Sequence, residues 1–199
     1  MPVAQLSLNE LARRVGLAKS NVLRYFESRE AVLLELLDAA LAEWLSALAE
    51  PGALPTGGTV AERAEQVATA MADSLAARPV LCDLLSAQAS VLERNVSAAV
   101  AAQYKHATLD HGLALTRLMT TSIPEIDAGQ SLTFVGAAIM SAGALWAHSH
   151  PSAAMLAAYA ADPELAAMRL DFTDSLRTVL AVLLTGLLHR PQIPPTEKT

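Results

Sequence analysis

The sequence predicts an all-α protein, and three observations support that prediction. Of the 199 residues, 53% are hydrophobic but only 4% are aromatic, and a chain so rich in Ala and Leu is typical of helical bundles. No segment alternates apolar and polar residues with the β-branched enrichment of strands. Two capping boxes, Ser7–Glu10 and Thr59–Glu62, mark helix starts. We therefore expect helices and no sheet.

The stretch from Ser7 to Arg29 predicts two short helices joined by a tight turn. After the first capping box, apolar residues recur at helical spacing, namely Leu8, Leu11, Ala12 and Val15. Gly16 stands where a helix commonly ends, and a second helix is expected from about Ala18 to Tyr25. Two short helices with a glycine in the turn indicate a helix-turn-helix, although an ordinary helical hairpin is the alternative interpretation.

The polar residues of this stretch suit contact with DNA. We expect Lys19, Ser20 and Asn21 to reach base edges, and the phosphate contacts to come from Ser7, Arg24, Tyr25 and Arg29. The charge distribution agrees with this. Residues 1–30 carry five basic and three acidic side chains, a net +2, whereas the remainder carries nine and seventeen, a net −8. The excess of basic over acidic side chains therefore lies in the predicted DNA-binding part of the chain.

Helical periodicity and chain breakers locate the remaining helices in order. A long helix from Ser28 to about Ala49, with an apolar stripe, leads from this head and ends before Pro51–Gly58. Further helices are expected at about 59–77, 80–93, 95–121, 127–147 and 172–189, with a short Ala-rich segment before the last. We divide the chain into a head with its linking helix (1–49), a helical body (59–190) and a frayed Pro-rich tail (191–199).

The helices at 127–147 and 172–189 are apolar on more than one side, so both must be covered on more than one side. A two-fold interface with two helices from each protomer would cover them, and the alternative is an internal core pair in a monomer. The interface residues we expect are Gly136, Ile139, Met140, Gly143, Ala147, Leu176, Val179, Leu180, Leu183 and Leu187.

Motifs of catalysis and of metal binding are missing from the sequence. It has no G-x-S-x-G, H-E-x-x-H, Gly-rich phosphate loop or C-x-x-C motif. His148 and His150 end a helix, where solvated histidines are common, and Asp110 and His111 are helix neighbours that point about 100° apart. We expect no enzyme, no metal and no cofactor. Cys82 is expected to be a buried, inert thiol rather than a redox sensor.

The sequence also indicates a cytoplasmic protein. A single cysteine excludes an intrachain disulfide and suits a reducing compartment, and the N-terminus does not follow the pattern of a signal peptide. Residues 128–161 contain no charged side chain. Their truly apolar part, residues 132–147, is shorter than the roughly 20 residues that a membrane span needs. We interpret it as a buried helix and expect no membrane association.

The first thirty residues resemble the tetracycline-repressor (TetR) family of bacterial regulators. The residues in register with the family pattern are Leu11, Ala12, Val15, Gly16, Leu17, Lys19, Val22, Tyr25, Phe26, Ser28, Arg29 and Glu30. The resemblance implies a homodimeric repressor that a small apolar effector releases from a palindromic operator on double-stranded DNA. Only six residues precede Ser7, so we expect the first head helix to be missing. The alternative is a helical ligand-binding or structural dimer that has lost DNA binding.

TetR-like bodies hold their inducer inside, and ligand sites are mostly apolar with a few polar groups. The lining residues we expect are Met71, Leu75, Cys82, Leu85, Gln88, Tyr104, His111, Leu115, Phe134 and Trp146, although plain core is the alternative for each. The basic residues of the body, such as Arg63 and Lys105, are dispersed and read as surface charges. The effector should therefore be hydrophobic or amphipathic and not a polyanion.

Overall fold

A computed structural model describes Ser7 and residues 25–190, and within these residues all regular structure is helical. The α-helices, in chain order, are α1 (Arg29–Leu48), α2 (Val60–Ala76), α3 (Pro79–Ala87), α4 (Ala98–Ser122), α5 (Ala128–Ser149), α6 (Ala153–Ala161), α7 (Pro163–Ala166) and α8 (Phe172–His189), with one 3₁₀ turn at Leu92–Arg94. The all-α prediction is confirmed.

The helix starts lie at capping residues. The Ser28 side chain accepts a hydrogen bond from the Ala31 amide at the start of α1, and the predicted Thr59–Glu62 capping box opens α2. A further capping box, of Asp127 and Gln130, opens α5. These caps satisfy amides that a helix end leaves without partners, which explains why most observed helices begin near the predicted residues.

One predicted helix is shorter than expected. The apolar run from Val80 predicts a helix to about Glu93, but α3 ends at Ala87. Beyond it the backbone folds back, with the Glu93 amide donating to the Gln88 carbonyl at 3.1 Å. The two side chains also meet, since Gln88 Nε2 lies 2.8 Å from Glu93 Oε1. Local hydrogen bonds of this kind compete with helix continuation.

The core forms around α5, which packs against α3, α4 and α8, while α1 packs against α3 and α4. The predicted apolar stripe of α1 is buried throughout, at Leu33, Leu37, Leu41, Trp44 and Leu48. Trp44 also donates from Nε1 to Ser74 Oγ at 2.9 Å, which joins α1 to α2. The long helix that leads from the predicted head is therefore an integral part of the body.

A buried arginine joins the start of α2 to the end of α4. Arg63 is only 8% exposed, and its guanidinium donates to the Ser122 and Gly58 carbonyls at 2.9 and 2.6 Å. It also pairs with the Glu125 carboxylate, whose pKa this hydrogen bond lowers. The interpretation of Arg63 as a surface charge was wrong, because apolar periodicity does not report polar partners supplied by distant loops.

Two regions of the body keep apolar surface exposed. Helices α6 and α7 contact each other and bury none of their residues. Helix α5 is long and apolar enough to cross a membrane by length and composition, with 33% of its most apolar window buried. Core helices of soluble proteins meet the same criterion, and the contacts of α5 with three neighbours place it in the bundle.

Candidate functional site

Most of the predicted DNA contacts lie outside the described residues, namely Lys19, Ser20, Asn21 and Arg24. Ser7 is exposed, and Tyr25 is 78% exposed, as a phosphate contact requires. Arg29 is the first residue of α1, and its guanidinium lies 2.8 Å from the Glu30 carboxylate. A phosphate would therefore share Arg29 with Glu30.

The exit of the predicted head is joined to the body by a hydrogen bond. The Glu27 carboxylate accepts the Ser97 amide at 2.6 Å, and Ser97 is the cap of α4. A carboxylate at a helix N-terminus is favourable because unsatisfied amides and the helix dipole both attract it. This contact was not predicted from the sequence, because its two residues are 70 positions apart and no local pattern links them.

The predicted effector pocket is mostly solid core. Met71, Leu75, Cys82 and Phe134 are fully buried, packed in one continuous apolar cluster with Leu85 and Leu115. Gln88 is engaged with Glu93, as described above. Trp146 is partly buried and packs against this cluster. Its ring centroid lies 5.0 Å from that of Phe172 and 4.0 Å from that of His150, and both of these residues line an open cleft at residues 149–150 and 169–172. The sequence does not separate pocket from core here, because bulky apolar residues line both.

Tyr104 alone among those ten residues lines one of two clefts seen on the described surface. This cleft, of about 360 Å³, lies between the first halves of α1 and α4, next to the exit of the head. Its apolar lining comes from Phe26, Ala31, Leu34, Val100 and Ala107, and the exposed Tyr25 also lines it. Its polar lining comes from Glu27, Glu35, Asp38, Gln103 and Tyr104. We call it the acidic cleft, since among the described residues three carboxylates and no basic side chain line it.

Tyr104 and His111, two of the predicted ligand residues, are both associated with the acidic cleft. Tyr104 is 5% exposed, and its hydroxyl has no hydrogen-bond partner in the part of the chain that the structure describes. Burial raises the pKa of Tyr104 to about 12, against a partial offset from Thr108, so the phenol is neutral. His111 Nε2 lies 2.7 Å from Asp38 Oδ1 and joins α4 to α1.

Cys82 is a buried thiol, as the sequence predicts. Its Sγ lies 3.2 Å from the Leu75 carbonyl, and burial, followed by the charge of Asp83, raises the pKa of Cys82 to about 12. Because the thiolate is the reactive form, we expect a maleimide to modify the folded chain at least about 100-fold more slowly than the urea-unfolded chain. Free N-acetylcysteine with and without urea is the control. Equal rates in the two states would contradict the burial of this thiol.

The predicted dimer residues divide into an inner and an outer set. Leu176 and Leu180 are fully buried in the core of their own chain, where α8 packs on α2 and α5. Gly143 also faces inward, because a Cβ placed on it would lie 2.9 Å from the Leu85 carbonyl oxygen of α3. These three residues therefore face the interior of their own chain and not a second protomer, contrary to the sequence-based assignment.

The remaining residues lie on or beside an exposed apolar face of α5 and α8. On α5, Met140 is 71% exposed, and Gly136 and Ala147 are also exposed, whereas Ile139 is half-buried. On α8, Val182 is 66% exposed, next to the half-buried Val179, Leu183 and Leu187. The positions of Gly136 and Gly186 open into free space. We call this the outer face, and Leu132, 47% exposed, extends it along α5.

An all-helical body, entered through one long helix from a predicted helix-turn-helix, is the organisation of a transcription regulator. Residues 38–191 match the sequence model of the family described as Tetracyclin repressor-like, C-terminal domain. The chain therefore belongs to the tetracycline repressor-like family. The match covers the body, whereas the resemblance noted above rests on residues 11–30, so two separate parts of the chain indicate the same family.

A comparison with curated proteins found no match. TetR-like regulators are soluble proteins, which agrees with the interpretation of α5 as a core helix. Regulators of this family generally have no enzymatic activity. Among the described residues, no group of three or more His, Cys, Asp or Glu side chains is placed to hold a metal ion.

Proposed function

We propose that this chain is a cytoplasmic, homodimeric repressor that binds a palindromic operator on double-stranded DNA and leaves it when a small effector binds. The observation that carries the proposal is the combination of the family match over residues 38–191 with the helix-turn-helix pattern directly before α1. The Glu27–Ser97 hydrogen bond supports it, because it couples the exit of the head to the body helix α4.

The outer face supports the homodimer. It exposes Val182 and Met140 on two adjacent helices, and apolar side chains grouped on one surface usually mark an interface. The open positions at Gly136 and Gly186 would let a facing helix approach closely. Two copies of α5 and α8 would form a four-helix interface, and its two-fold symmetry would match that of a palindrome with half-sites a helical turn apart.

The effector proposed is small and hydrophobic or amphipathic, and it acts because it binds two body states with different affinities. Helix α1 is the element through which it would act. This helix carries Ala31, Leu34, Glu35 and Asp38 into the acidic cleft and also leads directly to the head. A ligand that moves α1 relative to α4 would change the separation of the two heads in a dimer.

The test is selection of bound duplexes from random double-stranded DNA, followed by fluorescence anisotropy on the enriched site. We expect a palindrome to be enriched. Lys19→Ala should cost about 1–3 kcal/mol at one position of each half-site, because a base-edge contact is lost. Arg29→Ala should weaken binding to all sequences alike and reduce the slope of affinity against salt, because a phosphate contact is lost.

Arg117→Ala provides the control, since Arg117 is an exposed arginine on the body helix α4 and its removal should leave the selected site and its affinity unchanged. Two outcomes would count against the proposal: failure to enrich any palindrome, or a loss of affinity in Arg117→Ala equal to that in Lys19→Ala. The first of these would favour the alternative of a helical dimer that does not bind DNA.

A further inference from the structure

We infer that residues 151–170 pack against a second copy of this chain in the dimer. These residues comprise α6, α7 and their flanking turns, and we call them the arm. The inference rests on the proposed homodimer and adds a second contact region to the outer face. The features that carry it belong to a single chain.

The arm exposes apolar side chains where a surface segment usually carries charged ones. Its large exposed apolar residues, between 38% and 66% exposed, are Met155, Leu156, Leu165, Met168 and Leu170. Helix α6 has the sequence AAMLAAYAA, which contains no charged residue. A helix that is apolar on all sides needs cover on all sides, yet no residue of α6 or α7 is buried against the described part of the chain.

The two helices of the arm are too short to be stable in water by themselves. Helix α6 has nine residues and α7 has four, whereas isolated helices shorter than about 12–15 residues are marginal. Their main contacts are with each other. Because most helical stability in proteins comes from packing of an apolar face, the arm requires a packing partner beyond the residues described.

The arm begins and ends at one end of the outer face. Helices α5 and α8 are antiparallel, since Gln130 Nε2 at the start of α5 donates to the Leu187 carbonyl near the end of α8 at 3.0 Å. At their other end, the ring centroids of Trp146 and Phe172 lie 5.0 Å apart. The residues on either side of the arm line one cleft there. The apolar surface of the arm therefore adjoins that of the outer face.

The size of the combined surface favours a second copy as the partner. A stable protein interface commonly takes about 20–30 residues from each side. The outer face offers ten, five on α5 and five on α8, and the two helices of the arm add nine and four. The outer face alone falls short of the usual size, whereas the outer face and the arm together reach it.

The charges of the arm argue against a lipid surface as the partner. Helices that lie on a membrane carry Lys and Arg on their polar face, and α6 has neither. The charged residues of the arm are Asp162, Glu164 and Arg169, all outside α6. Depletion of charge is instead typical of the centre of an interface between two protein chains.

Met155→Glu tests the contact without weakening the arm. The Met155 amide donates to the Ser152 side chain at the start of α6, so a glutamate at this position completes a capping box. We expect the dissociation constant of the dimer, measured by sedimentation velocity on the full chain, to rise at least about tenfold, because a carboxylate is buried against the partner. Val80→Glu is the matched control, since Val80 is 55% exposed in the first turn of α3, and it should leave the constant unchanged.

Hydrogen exchange and urea unfolding show what covers the arm. The amides of α6 should exchange at least about tenfold more slowly in the wild-type dimer than in the monomeric variant Val182→Asp. Adding Met155→Glu to Val182→Asp should leave the urea midpoint unchanged, and a lower midpoint would place the arm against its own body and overturn the inference. Equal exchange in dimer and monomer would also overturn it. So would amides of α6 that exchange slowly only after addition of phosphatidylcholine–phosphatidylglycerol vesicles.

The outcomes separate this inference from the proposed function. A dimer that dissociates in Val182→Asp but is unchanged in Met155→Glu would refute the contact of the arm and leave the homodimer standing. A wild-type monomer at tens of micromolar would refute both. A dimer that is weakened by Met155→Glu, in a chain that enriches no palindrome, would refute the repressor and leave the contact of the arm standing.

Discussion

Val182→Asp is expected to convert the proposed dimer into monomers. Val182 is 66% exposed on α8, between Val179 and Gly186 on the outer face. In a two-fold interface built on this face, each protomer would bury the new carboxylate without a partner, and the symmetry imposes that cost twice. We expect the dissociation constant to rise more than about 100-fold, which corresponds to at least about 3 kcal/mol.

Sedimentation velocity from nanomolar to tens of micromolar concentration measures this change. Val80→Asp is the matched control, because Val80 is 55% exposed on α3, away from the outer face. Its introduced aspartate lies in the first turn of a helix, where a negative charge is favourable. A wild-type monomer at tens of micromolar, or equal dissociation of both variants, would contradict the assignment of the outer face as the interface.

The loss of dimer should also be visible on DNA. A monomer contacts one half-site, so Val182→Asp should bind the full palindrome with an affinity close to that for a single half-site. This effect would exceed that of any one contact residue, since a whole head is removed from the complex. An unchanged affinity for the palindrome in a monomeric variant would show that dimerisation and operator binding are separate.

Gly143→Leu is expected to destabilise the body itself. A Cβ on Gly143 would lie 2.9 Å from the Leu85 carbonyl oxygen and 3.0 Å from its carbon, and both are backbone atoms of α3 that no rotamer change can move. Gly143→Ala should lose about 1–3 kcal/mol to overpacking, offset by up to about 1 kcal/mol of gained helix propensity. The leucine adds three further carbons and should cost about 3 kcal/mol or more.

Urea unfolding followed by circular dichroism measures these changes. Gly112→Ala is the control, because Gly112 lies inside α4 and a Cβ there meets nothing within 4 Å. It should be stabilised by up to about 1 kcal/mol through helix propensity. If Gly143→Ala were as stable as Gly112→Ala, the close contact of α3 with α5 would be refuted. If Gly143→Leu instead dissociated the proposed dimer and left the stability of the monomer unchanged, the sequence-based assignment of Gly143 to the subunit interface would be supported.

Much of the fold could be predicted from local patterns. The stripe from Leu33 to Leu48 predicts both the length and the buried face of α1, because one side of that helix is apolar and the other is polar. Ser28, Thr59 and Asp127 mark helix starts since capping is a property of a few adjacent residues. These signals are short in range, so no knowledge of the neighbouring helices is needed to interpret them.

The candidate site was less predictable, and Tyr104 illustrates why. Its burial and its place in the lining of the acidic cleft depend on how α1 lies against α4. The residues that line the acidic cleft come from two separate stretches, 25–38 and 100–107, whereas the sequence-based pocket drew on bulky apolar residues from 71 to 146. Met71 and Phe134 were chosen for their bulk, and that same bulk fills the core.

The sequence by itself determined the helical class, the helix starts and the family, because composition, periodicity and capping are encoded over a few turns. Tertiary structure alone decided which apolar faces are covered. Helix α8 is apolar at Leu176, Leu180 and Leu184, which are buried, and equally at Val182, which is exposed. A helix apolar on all sides has no polar face to mark its outside, so only the positions of α2 and α5 separate its core from its surface.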